Sequence, residues 1–106
     1  MPIAAKRPDV SSYVAHALKN DIVRFSDHAM QRMDERLHEF GLDEIDVFRV
    51  LGRGRREEEK DEWNDLYQEW NYAFRGKTVD AVELRVSVAL KAAGVLVITV
   101  INLELR

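Results

Sequence analysis

Seven cations crowd the second half of this chain: Arg53, Arg55, Arg56, Lys60, Arg75, Lys77 and Arg85. Cations converging on a concave surface bind phosphates, and a preorganised set of them stabilises charge building on a phosphate under attack. The same residues also suit the wet side of a half-exposed sheet, which ordinarily carries Arg and Lys. His28 adds a second chemical option, because a neutral imidazole with an unperturbed pKa near 6.5 serves as general acid or base. Its place on the polar side of a helix is equally compatible with simple solvation. The three histidines, His16, His28 and His38, lack metal-ligand spacing. His28 and His38 fall on one predicted helix, about 15 Å apart at 1.5 Å per residue, too far to share an ion within one chain. Neither a metal nor a cofactor is expected. The chain has no cysteine, so disulfides, thiolate sites and a cysteine nucleophile are excluded. Gly52–Arg55 reads GRGR, but no preceding strand, Lys-Ser/Thr ending or following helix makes it a phosphate loop. No nucleophile elbow stands out.

The elements that must position these residues divide the chain in two. Pro8-Asp9 opens a helix running to about Asn20, with Tyr13, Val14, Ala17 and Leu18 at helical spacing and His16 near their side. Ile22–Phe25 reads as a short extended link. Ser26 is the predicted N-cap of a second helix reaching about Phe40, with Asp27 favourably placed in its first turn. Met30, Met33, Leu37 and Phe40 form its apolar stripe, His28, Arg32, Glu35 and Glu39 lie opposite, and Gly41 closes it. Asp43 caps a third helix, in which Ile45, Val47, Phe48 and Leu51 point inward and which ends at Gly52. The stretch from Gly52 to Glu62 contains only charged residues and two glycines and reads as a solvated edge strand or an exposed loop.

Two-residue alternation then takes over. In Tyr67–Arg75, Trp70, Tyr72 and Phe74 share one face while Glu69, Asn71 and Arg75 share the other. In Leu84–Leu90 the even positions are apolar and Arg85 and Ser87 stand opposite. Ala93-Gly94 makes a turn, and Val95–Ile101, apolar on both sides, is the expected central and most buried strand. The predicted fold class is α+β: N-terminal helices packed on a C-terminal antiparallel sheet of three or four strands, one domain over 1–106. The helices cover one sheet face and leave the other for a partner or substrate.

Composition fits this reading. The hydrophobic fraction of 46% and charged fraction of 33% belong to a globular protein rather than a disordered one. The formal net charge is −3, so any nucleic-acid surface must be a local patch. The start lacks the apolar run of a signal peptide, and the longest apolar stretch is far short of the ~20 residues that span a bilayer. A soluble cytoplasmic protein without membrane attachment is the expectation.

Several segments carry a resemblance. FSDHAMQRMDER, GLDEIDVFRVLGRG, WNYAFRGKTVD and VLVITV resemble a family of small bacterial proteins catalogued as domain of unknown function 4258, over roughly Phe25–Val100. Its most specific part is His28-Ala29 with Arg32-Met33 and Arg36. More loosely, the NDIVRFS link, the GLDEIDVFRVL helix, the Trp70-Asn71 pair and the two closing strands are similar to MqsR-type ribonuclease toxins of the RelE/ParE-like fold. That likeness implies a metal-independent endoribonuclease in which a ribose 2′-hydroxyl attacks the adjacent phosphate. It also implies an antitoxin partner, of a small zinc-binding or helix-turn-helix kind, in complex with an otherwise monomeric toxin. The lysine of the toxins' first strand falls near Lys60 or Arg56, and their glutamine falls on Asn71, with Gln68 as a shifted option. Their tyrosine has no counterpart, since Glu83 and Leu84 stand there.

Two readings follow. In the first, RNA is the substrate: His28, Lys60, Asn71, Arg75 and Arg85 form the catalytic set, and Arg53, Arg55, Arg56 and Lys77 bind RNA. In the second, the fold persists as a catalytically inactive protein-interaction module, with the acidic run Glu57–Glu59 pairing with a basic partner or masking the groove.

Overall fold

The computed structural model describes residues 3–34 and 43–104. Helix α1, Val10–Lys19, buries Val10, Val14 and Ala17 on one stripe and leaves His16 exposed beside Asn20. Helix α2, Asp27–Arg32, is capped by Ser26, whose hydroxyl accepts from the Ala29 amide at 3.0 Å. This side-chain acceptor satisfies a backbone donor that the first turn leaves free. The remainder of the expected second helix, with Leu37, Phe40, Glu35, Glu39, His38, Arg36 and Gly41, lies outside the described residues. Helix α3, Glu44–Arg53, begins with the reciprocal cap that Asp43 and Asp46 make and ends at Gly54, past the Gly52 expected from sequence. Asp46, Val47, Val50 and Leu51 are its buried positions and Phe48 is half-buried; Ile45, expected inward, is exposed, as is Met30 of α2.

The sheet is larger than expected and mixed. It comprises β1 (Val23–Phe25), β2 (Arg55–Arg56), β3 (Glu62–Asn64), β4 (Glu69–Lys77), β5 (Glu83–Lys91) and β6 (Gly94–Asn102). The order is β1-β6-β5-β4-β2, with β3 also on β4. The expected three long strands are β4, β5 and β6, joined as an antiparallel meander. The additions are β1, β2 and β3, none longer than three residues, too short for alternation to register in sequence. The anticipated link Ile22–Phe25 is thus mostly strand: Val23 pairs in parallel with Val95, and Ile22 O accepts from Val95 N at 3.0 Å.

Tyr72, Phe74, Leu84, Val86 and Val88 meet Val14, Ala17, Val47 and Val50 in the core between helices and sheet. Residues 4–7 extend this cover, Trp70 Nε1 donating to Ala4 O (2.7 Å) and Arg7 N to the Tyr72 hydroxyl (2.9 Å). The expectation of β6 as the central strand buried on both sides is corrected. β5 occupies the middle of the order, and β6 has β1 beside it only at Val95–Val97. Its outward residues are therefore partly wet, Ile101 being 40% exposed. Pairing passes from Val88↔Val97 to Ser87↔Thr99, so Ile98 is an extra residue in a bulge.

One close approach fixes where the edge begins. A Cβ on Gly54 would sit 2.4 Å from Val50 O and 2.5 Å from Arg75 O, and one on Gly76 would sit 2.9 Å from the Gly54 Cα. Only glycine lets the end of α3 touch β4 and start β2 in register. Among the described residues no helix is long and apolar enough to cross a membrane.

Candidate functional site on the open sheet face

The charged stretch after α3 becomes a broken edge strand along β4. Its first half pairs Arg55 with Arg75 and Arg56 with Phe74; its second pairs Glu62 with Asn71 and Trp63 with Trp70. Between them a single 3-10 turn, Glu58–Lys60, lifts the chain away. The ladder is repaired around the gap: Glu57 N donates to Ala73 O (2.9 Å), and Ala73 N donates to the Asp61 carboxylate (2.7 Å). This arch buries Glu57, only 2% exposed, and brings Lys60 to the open face.

Directly paired residues share a face, so Arg55, Arg75, Arg85 and Ile101 form one row across the sheet. Glu57 grips the centre of that row. Its Oε1 accepts from Arg85 Nε, and its Oε2 from Arg75 Nη1 at 3.2 Å; Arg75 Nε also donates to Glu83 Oε1 at 2.7 Å. The Arg85 hydrogen bond, with help from Arg75, lowers the Glu57 carboxyl below its ordinary value despite burial. Glu57 therefore holds the two guanidinium groups in fixed positions. The sequence offered Glu57–Glu59 only as an undivided acidic run, pairing with a basic partner or masking the groove; that Glu57 alone is buried against the arginines depends on the turn.

Arg56, adjacent to Arg55, faces the opposite way. Its guanidinium lies over the rings of Tyr72 (5.4 Å) and Phe74 (5.3 Å) and donates to both Asp61 oxygens at 2.9 and 2.7 Å. Burial raises the Asp61 carboxyl, but Arg56, the Ala73 amide and Lys6 together outweigh it and leave it lowered. Arg56 thus fastens the edge arch to the covered side and stands apart from the arginine row. Arg53 is exposed at the end of α3, and Lys77 is exposed at the end of β4 opposite Glu83.

Two pockets adjoin on the open face. One, of about 210 Å³, is lined by Lys60, Glu62, Asn71, Arg85, Ser87, Thr99 and Ile101. It unites three residues of the anticipated catalytic set, Lys60, Asn71 and Arg85, and adds Ser87 and Thr99, which pair across β5 and β6. The Oδ1 of Asn71 is buried and has no hydrogen-bond partner among the described residues. An acceptor in that condition is costly unless something donates to it. Arg75 does not line the pocket but sits one rung partner away from Arg85, held by Glu57 and Glu83. His28 lines the second pocket, of about 490 Å³, with Ser26, Asp27, Asn64, Tyr67, Glu69, Lys91, Leu96 and Ile98. The bulge joins the two, contributing Ile98 to one and Thr99 to the other. Among the described residues no three His, Asp or Glu side chains converge as metal ligands.

This face spans strands from both ends of the sheet, and the comparison with known families covers the same span. The family model described as Domain of unknown function (DUF4258) matches residues 25–102, well over half of the chain. The chain belongs to this family. The DUF4258 region runs from the last residue of β1 to the last of β6 and contains every residue of both pockets. No curated protein matches the chain, and no solved structure matches it. Ser87 was legible as an outward residue of its strand, whereas Thr99 lay in a stretch read as buried on both sides, and nothing in their spacing marked either as a neighbour of Lys60. Their convergence depends on the arch and the bulge.

Proposed function

We propose that this DUF4258 protein is the ribonuclease toxin of a toxin–antitoxin pair, built on a RelE/ParE-like fold, and that it cleaves RNA in the smaller open-face pocket. The observation that carries this reading is the meeting of Lys60 and Arg85 in one concavity with Asn71, whose buried Oδ1 has no partner among the described residues. Lys60 and Arg85 neutralise the phosphate oxygens, and Asn71 Oδ1 accepts from the ribose 2′-hydroxyl. The 2′-oxygen then bonds to phosphorus as the bond to the 5′-oxygen breaks. The hydroxyl proton is lost to solvent, the 5′-oxygen gains one, and a 2′,3′-cyclic phosphate remains. Water takes the first proton and supplies the second, so the step needs only the chain, RNA and solvent. Preorganisation is the source of rate, because Glu57 fixes Arg85 before substrate arrives.

The test is incubation of the purified protein with single-stranded RNA in chelator, followed by analysis of the new ends. Wild type is expected to leave 2′,3′-cyclic phosphates. Arg85→Ala and Asn71→Ala are each expected to lower the rate about 10²–10³-fold, the usual cost of one electrostatic or hydrogen-bond contact to the reacting centre. Intact RNA, with or without ribosomes, and normal growth of bacteria expressing the wild type would overturn the reading. A specific observation favours the second reading, a non-catalytic interaction module: both Arg75 and Arg85 already have carboxylate partners. Under that reading the free protein leaves RNA whole and forms one stoichiometric complex with a partner protein.

A further inference from the structure

The larger pocket has the lining of a planar ligand's site rather than of a phosphate site. Leu96, Ile98 and the aromatic Tyr67 line it together with the polar Ser26, Asp27, His28, Asn64, Glu69 and Lys91. Tyr67 is 66% exposed, and its backbone is held in place. It lies in the turn between β3 and β4, where Asn64 Oδ1 accepts from Tyr67 N (3.2 Å), Gln68 takes a left-handed φ of 52°, and Gln68 Nε2 donates to Asp65 O (2.8 Å). The Lys91 ammonium stands 5.8 Å from the ring centroid and 2.6 Å from Glu69 Oε1. The hydrogen-bonded turn holds the backbone of this exposed aromatic, which lowers the freedom lost when a base stacks on its ring. The Lys91–Glu69 pair offers a donor and an acceptor side by side, as the edge of a nucleobase does. Continuity with the phosphate pocket names the occupant. Glu69 and Asn71 are successive outward residues of β4, about 6.6 Å apart along the strand, and Ile98 and Thr99 join the pockets on β6.

We infer that the Tyr67–Ile98 pocket binds one nucleobase of a single-stranded RNA whose adjoining phosphate lies at Lys60 and Arg85. This rests on the proposed function for its phosphate and adds a base-stacking subsite of its own. Stacking on an aromatic contributes about 1–3 kcal/mol per base, so loss of Tyr67 weakens binding about tenfold.

The probe is a labelled 2′-O-methyl hexanucleotide of mixed sequence, which cannot be cleaved for want of a free 2′-hydroxyl, titrated by fluorescence anisotropy. Abasic versions, one position at a time, accompany it. Tyr67→Ala is expected to weaken the intact probe about tenfold, Tyr67→Phe to leave it unchanged, and one abasic position to cost wild type the same factor. That abasic position should cost Tyr67→Ala nothing further, since the base has already lost its platform. Tyr67 is exposed, so its replacement leaves folding intact. If the probe binds, Arg85→Ala weakens it and Tyr67→Ala does not, the base pocket is refuted while the RNA surface stands. If no probe binds, the RNA reading falls and the subsite with it.

Discussion

The two faces of β5 belong to one nine-residue strand and obey opposite rules. On the covered face Leu84, Val86 and Val88 are fully buried among aliphatic and aromatic side chains. On the open face Arg85 is clamped by a buried glutamate, and Ser87 lines a cavity with Thr99, its partner on β6. The covered face is held by apolar area removed from water, which is non-directional and tolerant of detail. The open face is held by a few directional charge pairs whose geometry decides everything. The lesson concerns where function fits. Directional interactions that leave one group unsatisfied, as Asn71 Oδ1 is among the described residues, suit ligand recognition, and the apolar layer behind them supplies the rigidity.

The contrast predicts unequal responses to truncation. Leu84→Ala should cost about 2–5 kcal/mol of unfolding free energy, because it removes packed methyl groups and leaves a cavity. Ile101→Ala, on the open face, should cost about 0.5 kcal/mol. Urea titration of the two variants measures the gap; comparable losses would mean that the open face is covered in solution. Next in size is Gly54→Ala. Its new methyl group would meet two backbone carbonyls that cannot both retreat, and a loss of about 1–3 kcal/mol is expected, as in overpacked cores. Because Gly54 sets the start of β2, this variant should also displace the arch that carries Glu57 and Lys60, and with it weaken the RNA cleavage proposed above.

Glu57→Gln probes the clamp itself. Removing the charge takes the carboxylate partner from Arg85 and leaves Arg75 with Glu83, with an expected loss of about 1–3 kcal/mol at neutral pH, moderated by their partial exposure. The pH dependence has a definite sign. The Glu57 carboxyl is lowered in the folded state from an ordinary 4.5, so its contribution is complete above that value. As pH falls below 4.5 the unfolded chain binds the proton first, and the contribution is lost progressively towards the lower, folded-state value. Asp61 is lowered as well, from an ordinary 3.8, and adds to the same acid loss. Thermal melts between neutral and acid pH should therefore show a shallower acid slope for Glu57→Gln than for wild type. Parallel slopes would refute the clamp as a source of stability.

The sequence was most informative where local chemistry decides structure. Ser26 and Asp43 cap their helices because a short oxygen-bearing side chain before an apolar run leaves the first turn few better acceptors. The outward placement of Asn71, Arg75 and Arg85 followed from alternation along β4 and β5. Legibility failed where long-range pairing decides. Strands β1, β2 and β3 are too short to show a period. Arg55 and Arg56 looked equivalent, yet the phase of a two-residue strand sends one to the arginine row and the other onto Tyr72 and Phe74. Glu57 is chemically identical to Glu58 and Glu59, and only the arch makes it the buried one. His28 was grouped with the arginines because both are polar-face residues, whereas the sheet is wide enough to give them separate pockets.

The smallest effect is the most discriminating. Lys91 and Glu69 also form an ion pair on the open face, at 2.6 Å, but their side chains are 39% and 22% exposed, against 3% for Glu57. Water solvates both ends of this pair, so a double-mutant cycle of Lys91→Ala and Glu69→Ala should yield a coupling of only about 0.2–1 kcal/mol. That coupling should fade in 1 M salt, where the screening length shrinks to about 3 Å. The cycle for Arg85→Ala and Glu57→Gln should be larger and nearly insensitive to salt, because screening ions cannot enter a buried contact. Equal couplings with equal salt dependence would place Glu57 in water and remove the distinction between a preorganised clamp and an ordinary surface pair.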